Sequence, residues 1–246
     1  MLIDLHAHSA GISICCKADA QQIIREAKEK GIDGIVLANH YCIEYIGASE
    51  LTAYIDSYMA EYHAAAAFAA TEGVKLFFAI EVTLARYNGV HVLLYGVGED
   101  FLYRHPTVYD YELCELYALV KAEGGMLVQA HPHRIKKQLL EVSLLDGIEI
   151  SCHPKYEGTH LLELAEIAAG TGKILTCGGD YHADTPYRPL CGVYLPDEFT
   201  DMLEIARHLM QAKSVRMLVQ ETDGSAPFTV VFERDRGIVS KEGEQR

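Results

Sequence analysis

Near the start of the chain, Asp4-Leu5-His6-Ala7-His8 puts two histidines two positions apart. On a β-strand, residues so spaced face the same side, so both imidazoles can point at one cation. Glu81 closes an apolar run, and a carboxylate there needs a positive partner, which a metal ion supplies. His91 opens the next apolar run, across a turn from Glu81. In Ala130-His131-Pro132-His133-Arg134 the proline fixes the backbone just past another apolar run and holds His131 there. In Gly178-Gly179-Asp180-Tyr181-His182, Asp180 and His182 again alternate by two, after a glycine pair that permits close backbone approach. His6, His8, Glu81, His91, His131 and Asp180 thus make a ligand set, with His40 and His182 in addition. Mixed imidazole and carboxylate donors suit Zn, Mn or Fe better than Ca or Mg. A carboxylate among histidines can bridge two ions, and a pair about 3.5–4 Å apart is the usual arrangement for phosphoester hydrolysis.

These residues need elements to carry them. Apolar runs at 2–5, 34–38, 76–80, 91–95, 126–130, 147–150 and 174–178 read as strands, and Phe228–Phe232 as an edge strand. Asp19 reads as an N-cap for a helix bearing Ile23, Ile24 and Ala27. Helices are expected over 49–72, 109–123, 159–170 and 198–212. The stripe of Leu51, Tyr54, Ile55, Tyr58, Met59 and Tyr62 reads as core. Tyr87-Asn88-Gly89 reads as a hairpin turn. Alternating strands and helices imply parallel strands joined by crossover helices. His6, His40, Glu81, His131 and Asp180 then fall at the carboxyl ends of strands, the face where barrel sites are built. His63, His105 and His208 lie apart from these ends and read as structural or solvated.

With half of its 246 residues hydrophobic and only 7 prolines, the chain is neither a disordered tail nor a low-complexity sequence. A formal charge of −14 argues against long nucleic acid as a partner, though not against a mononucleotide. No apolar stretch is long enough to span a membrane, so no membrane partner is expected. The first residues carry no basic region or cleavage pattern, so no signal peptide is expected. The seven cysteines are irregularly spaced, with no Cys-x-x-Cys pair, and read as reduced thiols of a cytoplasmic protein. A single domain over residues 1–246 is expected, with 234–246 as a frayed polar tail.

In this order and spacing the motifs resemble the PHP (polymerase and histidinol phosphatase) family of metal-dependent phosphoesterases. The matching segments are Asp4–Ser9, Ala38-Asn39-His40-Tyr41, Glu81, His91–Gly96, Ala130–Arg134 and Gly178–His182. The resemblance implies a distorted (β/α)7 barrel. It implies one metal on His6, His8, Glu81 and Asp180, a second on Glu81, His91 and His131, and a third on His40, His182 and a further histidine. Here no histidine lies between His8 and His40; Cys15 and Cys16 occupy that region. A thiolate can ligate zinc, so Cys15 is either a ligand or a plain loop residue. The usual Asp before the second-motif histidine is Asn39.

The expected activity is hydrolysis of a small phosphomonoester, histidinol-phosphate-like or a nucleotide, by a metal-bridging hydroxide with two or three divalent ions. Asp180 would bind metal and orient the nucleophile, and His182 or His40 would protonate the leaving alkoxide. Arg134, and with it Arg188 or Lys155, would clamp the phosphate, while His153 follows a strand end as a substrate contact. Two alternatives stay open. An amidohydrolase-type barrel also begins with His-x-His, but normally carries a strand-end lysine that no strand end shows here. The other is a degenerate metal-binding domain.

Overall fold

A computed structural model describes residues 1–47, 50–134 and 138–243. The amino-terminal half runs β1 (Leu2–Ala7), α1 (Ala20–Glu29), β2 (Gly34–Leu37), β3 (His40–Tyr41), α2 (Ile43–Ile46), α3 (Leu51–Glu72), β4 (Lys75–Leu84), β5 (Val90–Tyr95), α4 (Phe101–Arg104) and α5 (Leu113–Ala122). The rest runs β6 (Met126–Gln129), β7 (Gly147–Ser151), α6 (Leu161–Gly170), β8 (Ile174–Gly178), β9 (Gly192–Tyr194), α7 (Met202–Gln211), β10 (Ser214–Val219), β11 (Phe228–Glu233) and β12 (Gly237–Gly243). Local chemistry accounts for the helix starts. The Asp19 side chain accepts from the Gln22 N–H at the head of α1, and Asp201 with Glu204 forms a capping box on α7. Ser49, inside the expected helix over 49–72, lies outside the described residues.

The strands form one sheet in the order β12-β11-β10-β9-β1-β2-β4-β5-β6-β7-β8, with β3 alongside β4. The fold is α/β, as expected, but it is a curled, open sheet rather than a regular (β/α)7 barrel. Pairs β1/β2, β2/β4, β6/β7 and β7/β8 are parallel. Pairs β4/β5, β5/β6 and all those from β1 through β9 to β12 are antiparallel. Connection length explains β4/β5, though not β5/β6 or β9/β10, whose links over 96–125 and 195–213 are long enough for a crossover and yet return antiparallel. A parallel crossover needs about a dozen residues or more. The β4–β5 link is too short for one, and it turns through Asn88 and Gly89 at φ 56° and 74°, the left-handed pair of a tight hairpin. The sheet curls until β8 lies against β1 and β10. There Ala7 bridges Tyr181, and the Cys177 thiol donates to Leu218 O at 3.5 Å.

Of the segment expected to fray, 234–246, the described part does not: β12 pairs with β11 as far as Gly243, and 244–246 lie outside the described residues. Phe228–Glu233 is consequently an interior strand, and β12 is the edge. The tyrosine stripe of α3 is core, with polar tips that reach the site. Tyr58 donates to Asn39 O at 2.6 Å and Tyr54 to His40 O at 3.3 Å. No helix among the described residues is long and apolar enough to cross a membrane.

Candidate metal centre

β1 brings in His6 and, just past its end, His8, β3 His40, β4 Glu81, β5 His91, the turn after β6 His131, and the turn after β8 Asp180 and His182. All eight expected ligands meet, and seven are buried; His91 is half-buried. Glu81 is the hub. Its Oε1 lies 3.4 Å from His6 Nε2, 2.9 Å from His91 Nδ1 and 3.0 Å from His131 Nε2. Its Oε2 lies 3.5 Å from His8 Nε2 and 2.5 Å from His40 Nδ1. Asp180 Oδ1 faces His8 Nε2 at 3.0 Å and His6 Nε2 at 3.5 Å. Glu81 does not end its strand as expected. β4 runs on to Leu84 because the hairpin keeps it paired with β5, and Glu81 points into the curl from mid-strand.

The outer hydrogen bonds settle which ring nitrogen faces inward. His6 Nδ1 donates to Glu149 at 3.0 Å, and His182 Nδ1 donates to Asp180 O at 2.7 Å, because a carboxylate and a carbonyl only accept. Ser13 gives its proton to Asn39 Oδ1 at 2.9 Å and accepts from the His40 N–H at 3.0 Å. His8 Nδ1, 3.1 Å from Ser13 Oγ, therefore donates to it. In their neutral forms these three rings therefore turn unprotonated Nε2 atoms inward. Those of His6 and His8 stand 3.0 Å apart and those of His182 and His40 3.3 Å apart, and such pairs repel unless a proton or a cation lies between them. His40 Nδ1 and Glu81 Oε2 are buried and close, yet neither has a hydrogen-bond partner. Metal-ligating histidines hold their second N–H in this way, on a carboxylate or carbonyl. The donor set fits divalent transition metals.

Charge is divided accordingly. Burial opposes ionisation of Glu81 and Asp180, but the surrounding imidazoles outweigh it and hold both carboxyls well below the usual range. Burial also opposes charge on His6, where Glu149, Glu81 and Asp180 prevail and raise the pKa well above normal. At His8 and His131 burial wins, lowering the first well below normal and the second to about 4. Against burial, Glu81 raises His40 to about 10 and Asp180 raises His182. His8 and His131 are neutral beside ionised carboxylates, the states that ligate metal, while His6, His40 and His182 release a proton to do so.

The backbone is bent to make this possible. His131 and Asp180 sit at φ 27° and 46°, in the left-handed region that non-glycine residues avoid. A Cβ on Gly178 would stand 2.6 Å from His6 Cβ and 2.8 Å from Glu149 Oε1, so only glycine lets β8 pass behind His6.

An open pocket of about 490 Å³ leads to the cluster, its wall including Cys15, Tyr45, Arg134, His153, Tyr156 and Asp184. Cys15 hydrogen-bonds to His182 and His40. Burial works to raise its pKa, but those imidazoles bring it down to about 5. Cys16 turns away, toward His8 O and Ala18 O, and burial pushes its thiol up to about 11. Asn39 touches no expected ligand side chain; it braces Ser9 and Ser13. Arg134 lines the pocket as expected, its guanidinium 5.9 Å from the centre of the Tyr156 ring. His153 stacks on Tyr156 at 4.6 Å. Lys155 is paired with Asp184.

Arg188 does not belong to the phosphate clamp. Its guanidinium is buried behind β1, with Nη2 2.7 Å from Asp4 Oδ2 and Nη1 donating to Ile23 O at 3.3 Å. Sequence reasoning missed Glu149, Ser13 and Tyr156. Glu149 braces the His6 ring and accepts the His131 N–H at 3.2 Å, and burial pushes its pKa up to about 7 against His6. A lone carboxylate in the apolar run 147–150 is the same signal that singled out Glu81, and could have found it. Tyr156 donates to Asp180 Oδ2. No sequence pattern marks it or Ser13.

No protein-family model matches the chain, and no curated protein matches it by sequence. Solved structures do match. One is a two-domain protein from Bacteroides vulgatus containing a predicted PHP-like metal-dependent phosphoesterase: TM-score 0.58, 15% identity, 95% of this chain and 65% of that one covered. This chain therefore spans less than two thirds of that protein's length. A second is PsfC from Pseudomonas syringae, TM-score 0.55, 16% identity, covering 89% and 81% of the two chains. A third is an amidohydrolase from Chromobacterium violaceum with bound sulfate, TM-score 0.50, 17% identity, covering 84% and 97%. The chain has the PHP-like fold.

Proposed function

We propose that this chain is a metal-dependent phosphoesterase of the PHP type that hydrolyses a small phosphomonoester. The observation that carries this is the convergence of bare imidazole nitrogens on Glu81 and Asp180, with every outward N–H of His6, His8 and His182 tied to an acceptor. His6, His8, Glu81 and Asp180 would hold one ion, and Glu81, His91 and His131 a second. His40, His182 and Cys15 would hold a third. Zn, Mn or Fe suits these donors. When bound, such ions neutralise phosphate oxygens and make water a nucleophile near neutral pH.

The protein's own groups do the rest. Arg134 offers a planar fork for two phosphate oxygens at the pocket wall. Tyr156 holds Asp180 through its hydroxyl and carries the Arg134 guanidinium on its face, so one ring orients both. His153 contacts the alcohol portion of the substrate. His182, with Nδ1 tied to a carbonyl and its pKa raised against burial by Asp180, would pass an Nε2 proton to the leaving oxygen from its charged form when no ion occupies that side; His40 is the other candidate. All seven cysteines are free thiols, which supports a reducing, cytoplasmic setting.

The amidohydrolase likeness keeps a second reading in view, hydrolysis of an amide or lactone at the same cluster. A panel of phosphomonoesters, amides and lactones on protein reconstituted with each metal separates them. Chelator-sensitive phosphate release is expected. Turnover of amides or lactones alone, or of nothing with ions bound, would overturn the proposal.

A further inference from the structure

The sheet leaves one seam without a strand ladder, where β8 packs against β9 and β10. Three thiols meet at it. Cys152 follows β7, Cys177 lies in β8, and Cys191 immediately precedes β9. Their exposures are 1%, 0% and 0%. The three sulfurs lie within 4.8 Å of one another, and those of Cys152 and Cys177 are 3.7 Å apart. Metal–thiolate bonds of about 2.3 Å set sulfurs about 3.8–4 Å apart around a shared ion, so Cys152 and Cys177 stand near that spacing and the third sulfur is within an ångström of it. None of its members belongs to the histidine–carboxylate centre. Asp4, the nearby carboxylate, is already matched by Arg188 and by the N–H groups of Gly179 and His6.

We propose that Cys152, Cys177 and Cys191 form a closed, all-sulfur site for a soft monovalent ion, Cu(I), which clasps β8 to β9 across the seam. The donor chemistry selects the ion. Soft thiolates favour Cu(I) and zinc, but structural zinc takes four ligands, and this cluster offers three sulfurs with no imidazole or carboxylate among them. Exposures of 0–1% keep bulk water from a fourth position. On loading, the ion displaces one thiol proton to solvent at no change in the site's net charge, the other two sulfurs binding as thiols or giving up further protons to solvent at one negative charge each, and no atom changes oxidation state. Because the sulfurs are sealed in the folded chain, the ion enters before the seam closes, so binding is coupled to folding.

The test is to unfold the full chain, refold it without oxygen in the presence of Cu(I), and record X-ray absorption at the copper edge. The expected result is copper in a shell of three sulfurs at about 2.3 Å. Three thiols should then be protected from alkylation, and four of the seven left reactive on brief denaturation. Cys177→Ser and Cys191→Ser should each lose the all-sulfur shell, and Cys15→Ser should keep it. A nitrogen-dominated shell would assign the copper to the histidine cluster and overturn the proposal. So would an unchanged sulfur shell in Cys191→Ser, or a Cys152–Cys177 disulfide found by mass analysis with no metal bound. If Cys177→Ser fails to refold, the shell of the unaltered chain together with Cys191→Ala still decides.

Discussion

Replacing Arg188 by Met tests whether this guanidinium is a support beneath the site or part of its substrate clamp. Arg188 is 2% exposed and Asp4 0%, so the pair is out of water. The substitution keeps most of the side-chain volume but removes the 2.7 Å bond to Asp4 Oδ2, the 3.3 Å bond to Ile23 O and the cation 4.7 Å from the Tyr181 ring. Breaking a buried ion pair from one side costs about 3–5 kcal/mol, because the remaining charge is stranded. Asp4 Oδ1 keeps two N–H donors, from Gly179 at 2.8 Å and His6 at 3.1 Å, which places the loss near the lower end. About 3 kcal/mol in a chain of this size lowers Tm by about 6–12 °C. Urea and thermal unfolding of chelator-treated protein measure it without a contribution from bound ions. Adding Asp4→Asn should restore part of the loss by removing the stranded charge. A loss below about 1 kcal/mol, the range of surface pairs, would refute the reasoning. A raised KM at unchanged Tm would return Arg188 to the substrate.

Four further outcomes follow from the same geometry. Asp180→Asn should lower kcat/KM by about 10²-fold or more in steady-state assays, since it removes a negative ligand and leaves Tyr156 a different partner. Arg134→Ala should raise KM for phosphomonoesters and lower kcat/KM by about 10–10³-fold, with metal content by elemental analysis unchanged. Glu149→Gln should weaken metal affinity by about 10–100-fold in chelator competition, because Glu149 orients His6 without being a ligand. In cobalt-substituted protein, Cys15→Ser should abolish a sulfur-to-metal absorption band that Cys16→Ser leaves intact, since only Cys15 faces His40 and His182.

The eight residues that meet at the cluster were legible because most are polar residues where an apolar run ends or is interrupted, and metal chemistry explains such residues economically. The same logic failed at Arg188. An arginine ten residues past the nearest apolar run, 174–178, carries no mark of burial, and only the fold brings Asp4 to it. The parallel units over 34–80 and 126–178 were readable from period and length. The later antiparallel strands were not. β9 has three residues, β10 alternates exposed with buried positions at its start, and β12 is mostly polar. Their pairing follows from short connections and from neighbours far away in sequence, which a local pattern does not report. Ser13 and Tyr156 illustrate the same limit, since each matters through a partner supplied by another element.

β1 lies between β2 and β9, with Ile3 opposite Gly34 on one side and Val193 on the other. Its first neighbour is about thirty residues away along the chain, and its second about one hundred and ninety. During synthesis, therefore, the strand that bears His6 and leads into His8 waits for about one hundred and ninety further residues before its second edge is covered. Sheets closed by such distant pairings fold slowly, and a waiting edge is open to the wrong neighbour. A cell making this protein must shelter that edge, and the centre itself assembles only when the last third of the chain arrives.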